Sequence, residues 1–133
     1  MIYLLDTNSI SRVMRDDAEM AAWLQSVRGE DHLVTCTIAR GEILFGVKRL
    51  ARGRRRNELE AKAQALFAAL RCEGVPPGAG DHYADLKPSQ QRRGLSLDEN
   101  DLWIAATALA IGATLVSRDS DFAGIEALSV ISP

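Results

Sequence analysis

The chain has 133 residues, 47% of them hydrophobic, and a formal net charge of −2; this is one ordinary domain with enough apolar material for a core and no room for a second. That balance gives no generally basic coat for nucleic acid, although an average hides local clusters. No apolar run approaches the roughly 18 residues of a membrane span and no basic-then-apolar leader opens the chain, so a cytoplasmic protein without a membrane partner is expected. Cys36 and Cys72 read as buried free thiols, and His32 and His82 are isolated. These residues do not make a tetrahedral zinc site, so any metal has to be held by oxygen.

In chain order, Ile2 to Leu5 is a short apolar run that stops on Asp6 and reads as a buried strand. Asn8 or Ser9 can cap a first helix through Ile10, Val13 and Met14, and after Asp16-Asp17 a second helix runs from Ala18 to Val27. His32 to Cys36 is a second strand, and Thr37 caps a long helix reaching Leu50. Arg49 to Arg56 is read as a turn, followed by a helix from Asn57 to Leu70 with Leu59, Ala63, Leu66, Phe67 and Leu70 as its buried stripe. Gly74 to Gly80 is a linker with room for a very short strand near Val75. A helix from Asp81 should kink or restart at Pro88 and end at Gly94.

Ser96-Leu97-Asp98-Glu99 is a capping-box pattern opening an apolar helix that Gly112 terminates. Thr114 to Ser117 and Leu128 to Ile131 are the last strands. Strands alternating with helices predict an α/β domain of three α/β/α layers around a mainly parallel sheet.

Two acids follow strands. Asp6 ends the first and Asp119 comes shortly after Thr114 to Ser117, so parallel strands deliver both to one edge, where such folds bind ligands. Glu42 shares a helical face with Ile38 and Phe45, and Asp101 one with Ile104, Ala105 and Ala108, so both carboxylates are expected to point inward. An ionised carboxylate on a core-facing stripe is costly unless paired or metal-bound. Arg40 and Arg118 are available as partners for individual acids; a quartet of carboxylates calls for a divalent cation. The residues alone leave both readings open. Asp98 and Glu99 fall in a first helical turn, where the macrodipole favours negative charge.

Leu5-Asp6-Thr7-Asn8, Arg40-Gly41-Glu42, Asp101-Leu102-Trp103-Ile104-Ala105-Ala106 and Leu115-Val116-Ser117-Arg118-Asp119 together resemble the PIN-domain ribonucleases, particularly the VapC toxins of bacterial toxin–antitoxin pairs. The resemblance implies a PIN-like fold and a Mg²⁺ or Mn²⁺ site in which Asp6, Glu42, Asp101 and Asp119 match the family's carboxylates, with Asn8 supporting the first. It also implies endonucleolytic cleavage of structured RNA, such as transfer RNA or a ribosomal RNA loop, leaving a 3′-hydroxyl and a 5′-phosphate. A homodimer is implied, as is an antitoxin whose tail lies in an apolar groove; Met20, Trp23, Leu24 and Phe67 are groove residues or core. The tail departs from many relatives in its Asp-Phe spacing, so Asp121 competes with Asp119, and Asp98 competes with Asp101.

Rival readings are a catalytically silent PIN-like module that binds RNA or protein, and a Mg²⁺-dependent phosphotransfer domain. The latter needs a late lysine, and the only lysines are Lys48, Lys62 and Lys87.

RNA must also be held, and Arg49, Arg52, Arg54, Arg55 and Arg56 form the one dense basic cluster. Phosphate contacts of this kind supply affinity without sequence information. Replacing Arg54 and Arg55 together by Ala should weaken RNA binding and flatten its salt dependence, as read by titrations at increasing salt; an unchanged affinity would remove the cluster from the RNA path.

Overall fold

In the computed structural model, which describes residues 1–95 and 97–133, the elements run β1 (Ile2–Leu5), α1 (Thr7–Met14), α2 (Ala18–Ser26), β2 (His32–Cys36), α3 (Thr37–Lys48), α4 (Arg54–Ala69), β3 (Arg71–Glu73), α5 (Pro77–Arg92), α6 (Glu99–Ile111), β4 (Thr114–Val116), a 3-10 turn at Ser120–Gly124, and β5 (Val130–Ile131). The five strands lie in the order β3-β2-β1-β4-β5 and every neighbouring pair is parallel. Parallel neighbours need long crossovers, and the helices between strands provide them.

Side chains alternate across a strand, and this sorts the core into two halves. Leu4 and Leu115 join Val34, Ile104, Ala105 and Ala108 on one face of the sheet, with Tyr83 and Leu86 of α5 packed against them. Leu5 and Val116 join Ile10, Met20, Ile43, Ala63 and Phe67 on the other. Helices α1, α2 and α4 thus cover one face and α5 and α6 the other, while α3 contributes Ile43 to the first half of the core and Ala39 to the second. Six consecutive interior positions of α6 apart from Trp103, from Leu102 to Ala108, are buried, which accounts for its apolar sequence.

Several boundaries differ from expectation for local reasons. Asp6, not Asn8 or Ser9, caps α1 by accepting the Ser9 N–H at 2.8 Å. The Ser9 hydroxyl is instead drawn to the Val116 carbonyl at 2.7 Å. Asp17 caps α2 through the Met20 N–H and pairs with buried Arg12 at 2.8 Å; these two contacts, in that order, hold its carboxyl below the usual range. Thr37 does not cap α3; it is the first helical residue, and its hydroxyl reaches the Glu73 carbonyl at 3.4 Å. Arg54 to Arg56 belong to the first turn of α4 rather than to a turn before it.

The third strand precedes Gly74 instead of surrounding Val75, because pairing with β2 sets its register: Val34 sits opposite Arg71 and Cys36 opposite Glu73. Helix α5 starts at Pro77, where the missing N–H is harmless, and it runs through exposed Pro88 without restarting. Ser96 of the capping-box pattern lies outside the described residues. Asp98 caps α6, accepting the Asp101 N–H at 2.8 Å, and the Glu99 carboxylate is taken by Lys87 and Tyr83 of α5. Gly112 ends α6 with φ 68°, a left-handed conformation suited to glycine. Cys36 is buried, and burial pushes its thiol pKa up, whereas Cys72 is only half-buried.

Leu115 is fully buried at the centre of the sheet. Leu115→Ala should lower unfolding stability by about 2–5 kcal/mol in urea titrations, since the rigid surroundings cannot close over the lost volume; a loss below about 1 kcal/mol would contradict this packing.

Candidate active site

The order of the strands reverses between β1 and β4: β2 and β3 extend to one side of β1, while β4 and β5 lie on the other. The crevice beyond the carboxyl ends of such a pair is where open α/β sheets bind ligands. Asp6 is the first residue after β1 and is 4% exposed. Its N–H reaches the Val116 carbonyl at 3.3 Å, tying the end of β1 to the end of β4. One carboxylate oxygen is occupied by the Ser9 N–H, and Asn8 is exposed, so local support for this acid comes from the Ser9 backbone.

Asp119 follows β4 and is half-buried; its N–H donates to the Ser117 hydroxyl at 3.0 Å and its carboxylate accepts the Asp121 N–H at 2.9 Å. Glu42, in the second turn of α3, accepts a hydrogen bond from the Thr7 hydroxyl at 2.6 Å. Thr7 has no role in the sequence reading, although it sits inside the Asp6-Thr7-Asn8 motif; only the fold reveals that it bridges α1 to α3. Asp101 lies in the first turn of α6 and is half-buried.

These acids share an electrostatic field. Burial, then the charges of Asp98, Asp119, Glu42 and Asp6, push the Asp101 carboxyl up to about 7. Asp121 is exposed and does not figure among these charges, so the structure distinguishes it from Asp119. Asp98 acts on Asp101 more strongly than the others, but one of its oxygens is committed to the helix cap.

The arginines proposed as structural partners are engaged elsewhere. Arg40 stacks over the Phe67 ring at 4.8 Å, while Arg118 reaches Glu19 and the Pro133 carbonyl. Among the described residues, none of the salt bridges includes Asp6, Glu42, Asp101 or Asp119.

An all-oxygen, net-negative group with no cationic side chain paired to it fits a hard divalent cation. Among the described residues no group of three His, Cys, Asp or Glu side chains is arranged to enclose an ion outright.

One part of the α3 face expected from the sequence is corrected. The buried stripe of α3 is Ala39, Ile43 and Val47; Ile38 and Glu42 are half-buried, Ile38 against the core, whereas Phe45 is exposed. Both stripes carry apolar residues at helical spacing, and only packing against β1 and α4 selects between them. The Ile38, Glu42 and Phe45 face lines an open cavity of about 640 Å³, reached also by Thr7, Arg49 and Asn100. A second cavity of about 260 Å³ meets it at Thr7, Glu42 and Gly46 and is lined by Arg15 and Arg55. Arg54 instead pairs with Glu58 at 2.9 Å. Met20 and Phe67 are core residues, and Trp23 and Leu24 pack against that core, partly buried. The lysines do not pair with these four acids: Lys62 binds Asp16 and the Met14 carbonyl, Lys87 binds Glu99, and Lys48 is exposed at the end of α3.

A five-stranded parallel sheet carrying acids at its switch point defines a class of protein that comparison makes explicit. The sequence profile described as PIN domain matches residues 3–128, and the chain belongs to that family. Within it the chain is similar to VapC ribonuclease Y4jK of Sinorhizobium fredii, at 31% identity over 98% of this chain and 96% of the relative. It is also similar to Toxin FitB of Neisseria gonorrhoeae, at 34% identity over 88% and 87%. Among solved structures, VapBC2 from Rickettsia felis, bound to a DNA fragment from its promoter, matches with a TM-score of 0.91 over 100% of this chain and 99% of that one; at 23% identity this likeness is one of fold.

The raised Asp101 pKa sets a direction for stability against pH. Near and below the ordinary value of 3.8 the carboxyl is protonated in both folded and unfolded chains and costs nothing. Between there and about 7 the unfolded chain releases the proton while the folded one retains it, so stability falls as pH rises, and above about 7 the penalty is constant. Asp101→Asn should therefore match the parent in denaturant midpoint at the acid end and exceed it in mildly alkaline buffer. A parent no less stable than the variant above neutrality would refute this crowding of charge.

Proposed function

We propose that this chain is a Mg²⁺- or Mn²⁺-dependent endoribonuclease of the VapC type, acting in the cytoplasm on structured RNA such as transfer RNA or ribosomal RNA. It inhibits translation until a cognate antitoxin neutralises it, and it works as a homodimer. The observation that carries the reading is the convergence of Asp6, Glu42, Asp101 and Asp119 on one field, with Asp101 raised to about 7 and Arg40 and Arg118 both turned away. The ribonuclease and toxin names of the relatives support the activity. That FitB, at 34% identity, is named a toxin supports a neutralising partner.

Asp6, Glu42, Asp101 and Asp119 are the residues that would hold the cation. When bound, it supplies Lewis-acid polarisation of a phosphate oxygen and makes water a better nucleophile. In the hydrolysis a water oxygen would bond to phosphorus as the bond from phosphorus to the 3′-oxygen breaks, and the proton given up by the water would end on that 3′-oxygen. The products are the 3′-hydroxyl and 5′-phosphate, and no covalent enzyme intermediate is needed.

The chain's own contribution is orientation and proton balance. The Ser9 N–H fixes one oxygen of Asp6 and leaves the other available, and the Thr7 hydroxyl fixes Glu42. Burial and the neighbouring acids push the Asp101 carboxyl up to about 7, and a bound cation would favour its ionised form. Arg49 on one side of Glu42, and Arg15 and Arg55 on the other, line the two cavities and offset the repulsion an acidic site presents to phosphate.

Purified, partner-free protein incubated with total RNA and Mg²⁺ or Mn²⁺ should give discrete fragments, and chelator should abolish them. Asp6→Asn and Asp101→Asn should each reduce cleavage by about a hundredfold or more. Asn caps a helix about as well as Asp, so Asp6→Asn separates lost charge from lost fold. Equal cleavage by the variants would show that the activity comes from a contaminant.

A further inference from the structure

Helix α3 places Glu42, Phe45, Gly46 and Arg49 three to four residues apart, hence on one face. That face lines the larger cavity, into which Thr7, from α1, and Asn100, from α6, also project. Phe45 is 68% exposed, the most exposed large apolar residue among those described. It contributes nothing to either core cluster. Gly41 and Gly46 border the same cavity, and a Cβ built at either meets no atom within 4 Å. Two glycines inside a helix weaken it. Here no neighbouring atom demands them, and they leave open space in the cavity that Phe45 also lines.

We propose that this face is a nucleotide-stacking track: the exposed Phe45 ring, flanked by open glycine positions, takes the base of a nucleotide beside the Glu42 carboxylate, while Arg49 holds a neighbouring phosphate. The inference deepens the ribonuclease reading and rests on it for the identity of the strand. Glu42 and Arg49 are separated by about 10 Å along the helix axis, a reach of about two or three nucleotides of single strand. Stacking on an aromatic ring is tolerant of sequence because every base has a π-face.

The chemistry favours nucleic acid over a protein on this face. Protein interface cores are contiguous and depleted of charge. This face carries one aromatic ring between a carboxylate and a guanidinium, and the other exposed large apolar residues, Met1, Val75 and Leu95, belong to other segments. The basic rim formed by Arg49, Arg15 and Arg55 complements a phosphate backbone.

The test is binding of a short fluorescein-labelled single-stranded RNA, measured by anisotropy in chelator so that affinity is read without cleavage, at several salt concentrations. Phe45→Ala should weaken binding by about tenfold or more and leave the salt slope unchanged. Phe45→Trp should retain affinity, with added indole emission that RNA quenches. Arg49→Ala should weaken binding and lower the slope by about 0.7. Unchanged affinity in Phe45→Ala overturns the proposal. So does a shift in its sedimentation with RNA affinity intact, which would assign the face to self-association. Cleavage of the same RNA with metal is scored separately. Phe45-dependent binding without cleavage would remove the nuclease reading alone, and cleavage with Phe45-independent binding would remove only the stacking track.

Discussion

The arrangement of this molecule depends on the seam between the carboxyl ends of β1 and β4. The Val116 carbonyl, at the end of β4, accepts both the Asp6 N–H and the Ser9 hydroxyl, so one oxygen joins the end of one strand, the end of another and the first turn of α1. Because that oxygen is buried and its donors are fixed, the two strand ends cannot slip relative to each other without leaving polar groups unpaired. Asp6 and the segment leading to Asp119 therefore emerge on the same rim. Thr7, held by the same turn, reaches across to Glu42. The rim would lose its geometry if β1 and β4 were not neighbours, and they are neighbours only because the long crossover through α5 and α6 returns the chain to the far side of β1.

Holding like charges near one another opposes folding, and the structure shows where that cost is borne. Asp101 carries the largest perturbation because it is half-buried, close to Asp98, and faced by acids from three other elements. Elsewhere the acids are satisfied in ordinary ways: Asp17 by Arg12, Asp31 by the N-terminal amine, Glu99 by Lys87. Acids paired with cations at the periphery contrast with the acids at the switch point, which have no cationic partner, and that contrast marks the latter as candidates for binding a ligand. The glycines of α3 follow the same logic, since they lower helix propensity where the surrounding atoms do not require it.

Much of this was legible before any coordinates. The four apolar residues before Asp6, the apolar stretch of α6 and Gly112 at its end announce themselves by composition, because burial on both faces of a strand or all around a helix leaves little freedom in residue choice. The order of the acids and their neighbouring residues carried the family resemblance. Phe45 stands exposed on a face expected to turn inward, because it looks as apolar as Ile43 and Val47 and periodicity reports a stripe without saying what it packs against. The caps were shifted for a related reason: several polar residues compete at each helix start, and the long-range pull of Val116 on Ser9 removes one competitor.

By itself, then, the chain determined its alternation of strands and helices and the local positions of its acids, since these follow from side-chain type and near-neighbour spacing. Tertiary structure alone decided that β4 pairs with β1, that Arg40 and Arg118 turn away from the acids, and that Phe45 stands free beside Glu42. Those outcomes join residues as far apart in the chain as Leu5 and Val116, and contacts at such separation are selected by the closing of the whole core rather than by any short stretch of residues.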